Sequence, residues 1–83
     1  AKMSVGGVAA KVWHYNVIPR YTYAGNVSQL AYVYLDGLGW RRIRHGSSDG
    51  VTNMFIMCCE AVANGKKLHA YADGSYVYNL YLV

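Results

Sequence analysis

The stretch Val51–Val62, VTNMFIMCCEAV, constrains the fold more than any other part of this chain. Val51, Met54, Phe55, Cys58, Ala61 and Val62 recur at the spacing of one apolar stripe on a 3.6-residue helix. Ser48 or Asp49 precedes the run and is placed to cap its first N–H groups. Asn64-Gly65 ends it, with Gly65 free to turn left-handed and Lys66 and Lys67 beside the negative end of the helix dipole. The opposite side of such a helix is normally polar. Here it holds Ile56, Met57, Cys59 and Ala63, relieved by Asn53 and Glu60. A helix apolar nearly all round is covered on both sides, and a domain of 83 residues has material to cover one. Either a long sheet wraps most of the helix, or its second side meets another copy of the chain. The second is the expectation, with Asn53, Ile56, Met57, Cys59, Glu60 and Ala63 as the oligomer interface. The run falls short of the roughly 20 apolar residues of a membrane span.

Composition supports one folded domain, residues 1–83. The chain is 54% hydrophobic and 14% charged, which excludes disorder and again predicts partner-covered surface. Its net charge of +4 is mildly basic, and Arg41, Arg42 and Arg44 form its one cluster. Nine tyrosines and two tryptophans are many for this length; rigid and amphipathic, they suit binding surfaces and subunit interfaces. Cys58 and Cys59 are adjacent on the helix and diverge by about 100°, so no disulfide between them is expected. They read as small buried apolar residues. The chain opens at Ala1, as a processed chain does, which points to a secreted or periplasmic protein; initiator-Met removal in the cytoplasm gives the same start.

The remaining pattern is β. Gly6-Gly7 introduces a strand over Val8–Asn16, with Lys11, Trp13 and Tyr15 on one side. Val17–Gly25 reads as irregular around Pro19, with a short extended piece at Tyr21-Thr22-Tyr23. Val27–Leu35 is a strand that puts Leu30, Tyr32 and Tyr34 on one face and Gln29, Ala31, Val33 and Leu35 on the other. Asp36-Gly37 turns it into Trp40–Arg44. HGSSDG (residues 45–50) leads into the helix. Lys67–Ala72, the Asp73-Gly74 turn and Ser75–Val83 form a closing hairpin, in which Tyr76, Tyr78, Leu80 and Leu82 alternate with Val77, Asn79 and Tyr81. The fold class expected is mainly β with one helix: a five-stranded OB-like barrel with the helix between strands three and four.

The hairpin YVYLDGLGW, the helix VTNMFIMCCEAVANG and the closing strands KLHAYADG and SYVYNLYLV resemble, in their order, the small OB-fold receptor-binding (B) subunits of bacterial AB-type toxins. The resemblance implies a ring of five chains with the helix lining a central pore. It also implies a secreted complex with an A-type chain and recognition of cell-surface carbohydrate or receptor. No sugar-binding residue is carried over from it.

No catalytic constellation is legible. Asp36 and Asp73 each sit in an Asp-Gly turn, Asp49 suits a cap, and Glu60 stands alone, so no carboxylate pair is visible. His14, His45 and His69 lack ligand-spaced partners, and neither a metal nor a cofactor is expected. Ser47, Ser48, His45 and Asp49 are too close in sequence for a triad. Two binding chemistries remain. Sugars stack apolar faces on aromatic rings, and Trp13, Tyr15, Arg20, Tyr21, Tyr23 and Tyr34, with Thr22 and Asn26, supply rings and polar partners. The strand WRRIR would place Trp40, Arg42 and Arg44 on one face and Arg41 and Ile43 on the other, which suits a single-stranded nucleic acid. The leading expectation is a non-enzymatic, homo-oligomeric carbohydrate- or receptor-binding module. The alternatives are a single-stranded nucleic-acid-binding domain and a structural self-assembling protein.

Overall fold

The computed structural model describes residues 10–83. The expected lead-in, and the start of the first strand at Val8 and Ala9, lie outside the described residues. The elements are β1 (Val12–Val17), β2 (Pro19–Ala24), β3 (Ala31–Leu35), β4 (Gly39–Ile43), α1 (Ser48–Asn64), β5 (Leu68–Ala72) and β6 (Tyr76–Leu82). They form one mixed sheet of order β1-β5-β6-β4-β3-β2. All its ladders are antiparallel except β4 with β6.

The expected five-stranded barrel is therefore corrected. The sheet has six strands, the helix follows the fourth, and no ladder joins β1 to β2. The additional strand is β2, which Pro19 disguises. Pro19 is its first residue, and β2 is an edge strand, so the missing N–H costs no ladder bond. Beyond it, Tyr21, Thr22, Tyr23 and Ala24 pair with Tyr34, Val33, Tyr32 and Ala31. The strand expected over Val27–Leu35 is shorter, because the chain turns first. Leu30 N–H donates to the Val27 carbonyl at 3.2 Å, and Gln29 takes φ 61°.

The sheet is strongly curled. Laid flat, its edge strands β1 and β2 would stand about 24 Å apart, five steps of about 4.8 Å. Yet Val17 ends β1 and Pro19 begins β2, with Ile18 alone between them, a reach of about 7 Å. The two edges therefore meet at Ile18, whose carbonyl accepts Asp36 N–H at 2.9 Å.

Curling separates two chemically different faces. The inner face carries Val17, Ala31, Val33, Leu35, Ile43, Leu68, Ala70, Ala72 and Val77, all buried. Helix α1 packs across β2, β3, β4 and β6 and closes this core with Val51, Cys58 and Ala61. Met54, Phe55, Met57, Leu38 and Leu80 pack around it. Ser47, rather than Ser48 or Asp49, caps the helix: its hydroxyl accepts Gly50 N–H at 3.1 Å. Gly65 ends it at φ 64°, as its sequence position predicts. One strand departs from simple alternation. The β5–β6 register shifts between Tyr71 and Ala72, so Tyr78 forms a bulge. Val77 and Leu80 thus both reach the core, while Tyr76, Tyr78 and Tyr81 face outward. The expected pairing of Leu80 with the Tyr76 and Tyr78 side is overturned by that one residue.

Candidate functional site

The outer face is built from tyrosine. Across β2, β3 and β4 the cross-strand pairs are Tyr21–Tyr34, Tyr23–Tyr32, Tyr34–Trp40 and Tyr32–Arg42. Arg42 pairs onward with Tyr76, and on the far side Trp13 pairs with Tyr71 and His69 with Tyr81. Ring contacts run through both halves: Trp40 meets Tyr34 at 5.4 Å between ring centres, and Trp13 meets Tyr71 and Tyr81 at 5.2 and 5.4 Å. Tyr78 links Tyr71 to Tyr76. All nine tyrosines and both tryptophans therefore lie on the side away from the helix. Many stay open to solvent: Tyr15, Tyr21 and Tyr81 are 63%, 62% and 60% exposed. Tyr23, Tyr32 and Trp40 line an open, apolar hollow of about 250 Å³.

The exposed charge on this face is basic. Lys11 Nζ sits 4.3 Å from the Tyr78 ring centre and the Arg44 guanidinium 5.3 Å from that of Tyr76. Arg42 lies between Tyr32 and Tyr76, with its Nε buried and without a partner among the described residues. Of the side-chain carboxylates, Asp73 alone reaches this face, where it is bonded to Tyr78. Asp49 and Glu60 are on the helix, and Asp36 is in a turn. Asp73 is buried, with one oxygen accepting the Ser75 and Tyr76 N–H groups at 2.8 Å and the other the Tyr78 hydroxyl at 2.7 Å. Burial alone would raise the Asp73 carboxyl; the Tyr78 hydroxyl, those N–H groups and Lys11 outweigh it and bring its pKa below the ordinary value. The same hydrogen bond raises the pKa of Tyr78. Arg41 lies off the outer face, on the Ile43 side of β4 as its position in the strand predicts. Its Nε donates to the Asp73 carbonyl at 2.9 Å and its Nη1 to the Leu38 carbonyl at 2.7 Å, tying two turns together.

A second concavity lies at the corner where the sheet edges meet. It holds about 300 Å³ and is lined by His14, Tyr15, Asn16, Val17, Ile18, Asp36, Gly37 and Leu38. Asp36 pairs there with Arg20, Oδ2 to Nη2, at 3.4 Å. Asn16 takes the left-handed φ of 56° at a bulge in β1, and its N–H donates to His69 Nδ1 at 3.1 Å.

The candidate ligand residues thus fall into three places. Tyr21, Tyr23 and Tyr34 join Tyr32 and Trp40 on one half of the outer face. Trp13 lies on the other half, with Tyr71 and Tyr81. Tyr15 lies at the corner, and Arg20 meets it through Asp36. Sequence reasoning missed Tyr71, Tyr76, Tyr78 and Tyr81 as surface groups. Their signal was available in HAYA, where tyrosine alternates with alanines that the core buries.

On the helix, Asn53, Ile56, Glu60 and Ala63 are exposed, Ile56 at 61%. Met57 packs against the core, and Cys59 Sγ approaches Thr22 Oγ1 at 3.8 Å. Glu60 accepts from Asn64 at 2.7 Å. Burial, aided by Cys59, pushes the Cys58 thiol up to about 12, which leaves it protonated and unreactive at neutral pH. No group of three or more metal-ligating side chains converges among the described residues, and no helix among them is long and apolar enough to cross a membrane. No protein-family model and no curated protein matches the chain.

Proposed function

We propose that the protein is a non-enzymatic binding module that holds carbohydrate by stacking it on the outer tyrosine face, and that it acts as a homo-oligomer. The observation that carries this reading is the segregation of rings: aliphatic side chains build the core with Phe55 packed against it, while tyrosine and tryptophan are left outside. Burying a tyrosine stabilises a fold, so a domain this small gives up much apolar burial by exposing so many. Large exposed apolar patches mark interaction surfaces. Sugar rings offer apolar faces to Tyr23, Tyr32 and Trp40, and their hydroxyls find the neighbouring phenols and Arg42. Individually weak sites of this kind gain from repetition in an oligomer. The exposed helix side, centred on Ile56, is the surface proposed to pack against other copies, in the manner of the ring-forming toxin B subunits that the sequence resembles. A secreted setting and an A-type partner chain belong to the same proposal.

The second reading is a single-stranded nucleic acid, favoured by Lys11, Arg42 and Arg44 interleaved with Tyr78, Tyr76 and Tyr32. One experiment separates the two. Glycan-array binding and oligonucleotide titration are each measured between low and physiological salt. Under the carbohydrate reading, glycan affinity changes little with salt and falls about tenfold in Tyr23→Ala or Trp40→Ala. Oligonucleotide binding whose log–log salt slope is about −2, as three neutralised phosphates predict, with no glycan bound, would instead establish the second reading.

A further inference from the structure

We infer that the corner cavity at Ile18 is a polyol-binding subsite, taking a single sugar ring between Tyr15, Asn16 and Asp36. The inference rests on the carbohydrate reading above and adds a second subsite, apart from the Tyr23–Tyr32–Trp40 hollow. The chain contains two Asp-Gly turns of the same sequence type, and they use their carboxylates oppositely. Asp73 has both oxygens bonded to its own hairpin. Asp36 uses neither in that way: its carboxylate contacts Arg20 alone among the described residues, at 3.4 Å with both side chains about half exposed. The turn does not need the Asp36 carboxylate, because its backbone is fixed by Asp36 N–H to the Ile18 carbonyl and by Leu38 N–H to the Leu35 carbonyl, both at 2.9 Å. The Asp36 carboxylate is therefore free to accept from a ligand on the cavity wall.

Asn16 lines the same concavity and has a left-handed backbone, one of two non-glycine residues with positive φ among those described. Such a conformation is unfavourable for most side chains and persists where the surroundings impose it. Here the bulge between His14 and Val17 imposes it, and His69 Nδ1 holds the Asn16 N–H in place. Asn16 is thereby left exposed at the concavity while Val17 is buried in the core. A carboxylate and a carboxamide at one concavity can accept from and donate to adjacent hydroxyls, and the exposed Tyr15 ring offers a stacking face. The volume of about 300 Å³ is at the small end of ligand sites and suits one sugar ring. His14 adds a further polar group to the lining.

The test is calorimetric titration of the full chain with a panel of free methyl pyranosides, gluco, galacto, manno and N-acetylated, after an array has shown whether the wild type binds glycans. Asp36→Ala and Asn16→Ala are compared with Tyr23→Ala, which lies away from the corner, and circular dichroism checks that each is folded. Asn16→Gly is added as a variant that relieves the backbone while removing the amide. The expected result is at least a tenfold loss of affinity in Asp36→Ala and in both Asn16 variants, with Asn16→Gly as stable as the wild type. Affinities within twofold of wild type in all three, alongside a loss in Tyr23→Ala, would overturn the corner subsite and leave the outer face as the binding surface. A wild type that binds no glycan would overturn the carbohydrate reading and this inference together.

Discussion

Asp73 shows how one carboxylate can set the pH range of a small domain. It accepts two backbone N–H groups and the Tyr78 hydroxyl while buried, so its folded-state pKa lies below the ordinary 3.8. A group lowered on folding binds fewer protons in the folded state. Its contribution is thus complete above pH 3.8 and is lost as pH falls through the depressed value. Tyr78 is the mirror case. Its pKa is raised above 10.0, chiefly by donating to Asp73, so its contribution is complete below pH 10.0 and is lost as pH rises through the raised value. Asp73→Asn should lower stability by on the order of 2 kcal/mol at pH 7 and flatten both ends of the curve. Urea denaturation from pH 2.5 to 10.5 reads both effects; parallel curves for the two proteins would exclude this account. The sequence identified Asp73 as a turn residue, which it is. It could not reveal that Asp36, in a turn of like sequence, leaves its carboxylate half exposed and held by Arg20 alone, because that depends on which residues a hairpin brings back: Tyr78 in one case, Arg20 in the other.

Helix α1 is the element that sequence rules described best, and its ends show the margin of such rules. The apolar stripe, the glycine stop and the buried Val51, Cys58 and Ala61 follow directly from spacing. The cap moved by one position to Ser47, since hydroxyls at 47 and 48 satisfy the same preference and only the Gly50 N–H distance decides between them. Ser47→Ala should cost about 1 kcal/mol, and Ser48→Ala a few tenths at most. Thermal unfolding of the two variants separates them, and equal melting temperatures would contradict the assignment. Strands were legible by alternation where it was unbroken, as in Ala31–Leu35 and Leu68–Ala72. They were misread where a single residue breaks it: Pro19 hid β2, and the Tyr78 bulge moved Leu80 to the core. The corner site lay beyond sequence reasoning for a related reason. Asn16 and Asp36 are neighbours only because the sheet curls until its edges meet at Ile18.

The whole molecule exposes two apolar surfaces, a helix side with Ile56 and a sheet face of tyrosines. The proposal places copies of the chain on the first and ligand on the second. Light scattering during size-exclusion chromatography should give a mass near five chains, and Ile56→Lys should shift it to that of one without unfolding the domain. A monomeric wild type, or an Ile56→Lys protein that stays assembled, would remove the helix from the interface. The distribution of rings has one more outcome. Trp13 stacks with Tyr81 in one half of the outer sheet and Trp40 sits against Tyr34 in the other, while the core they leave behind contains neither tryptophan nor tyrosine. The intrinsic ultraviolet emission of this protein is therefore a property of its skin. Exchange of the two tryptophans for phenylalanine, one at a time, would divide that light between the halves of the sheet, so the chain carries its own two-channel optical reporter for whatever settles there.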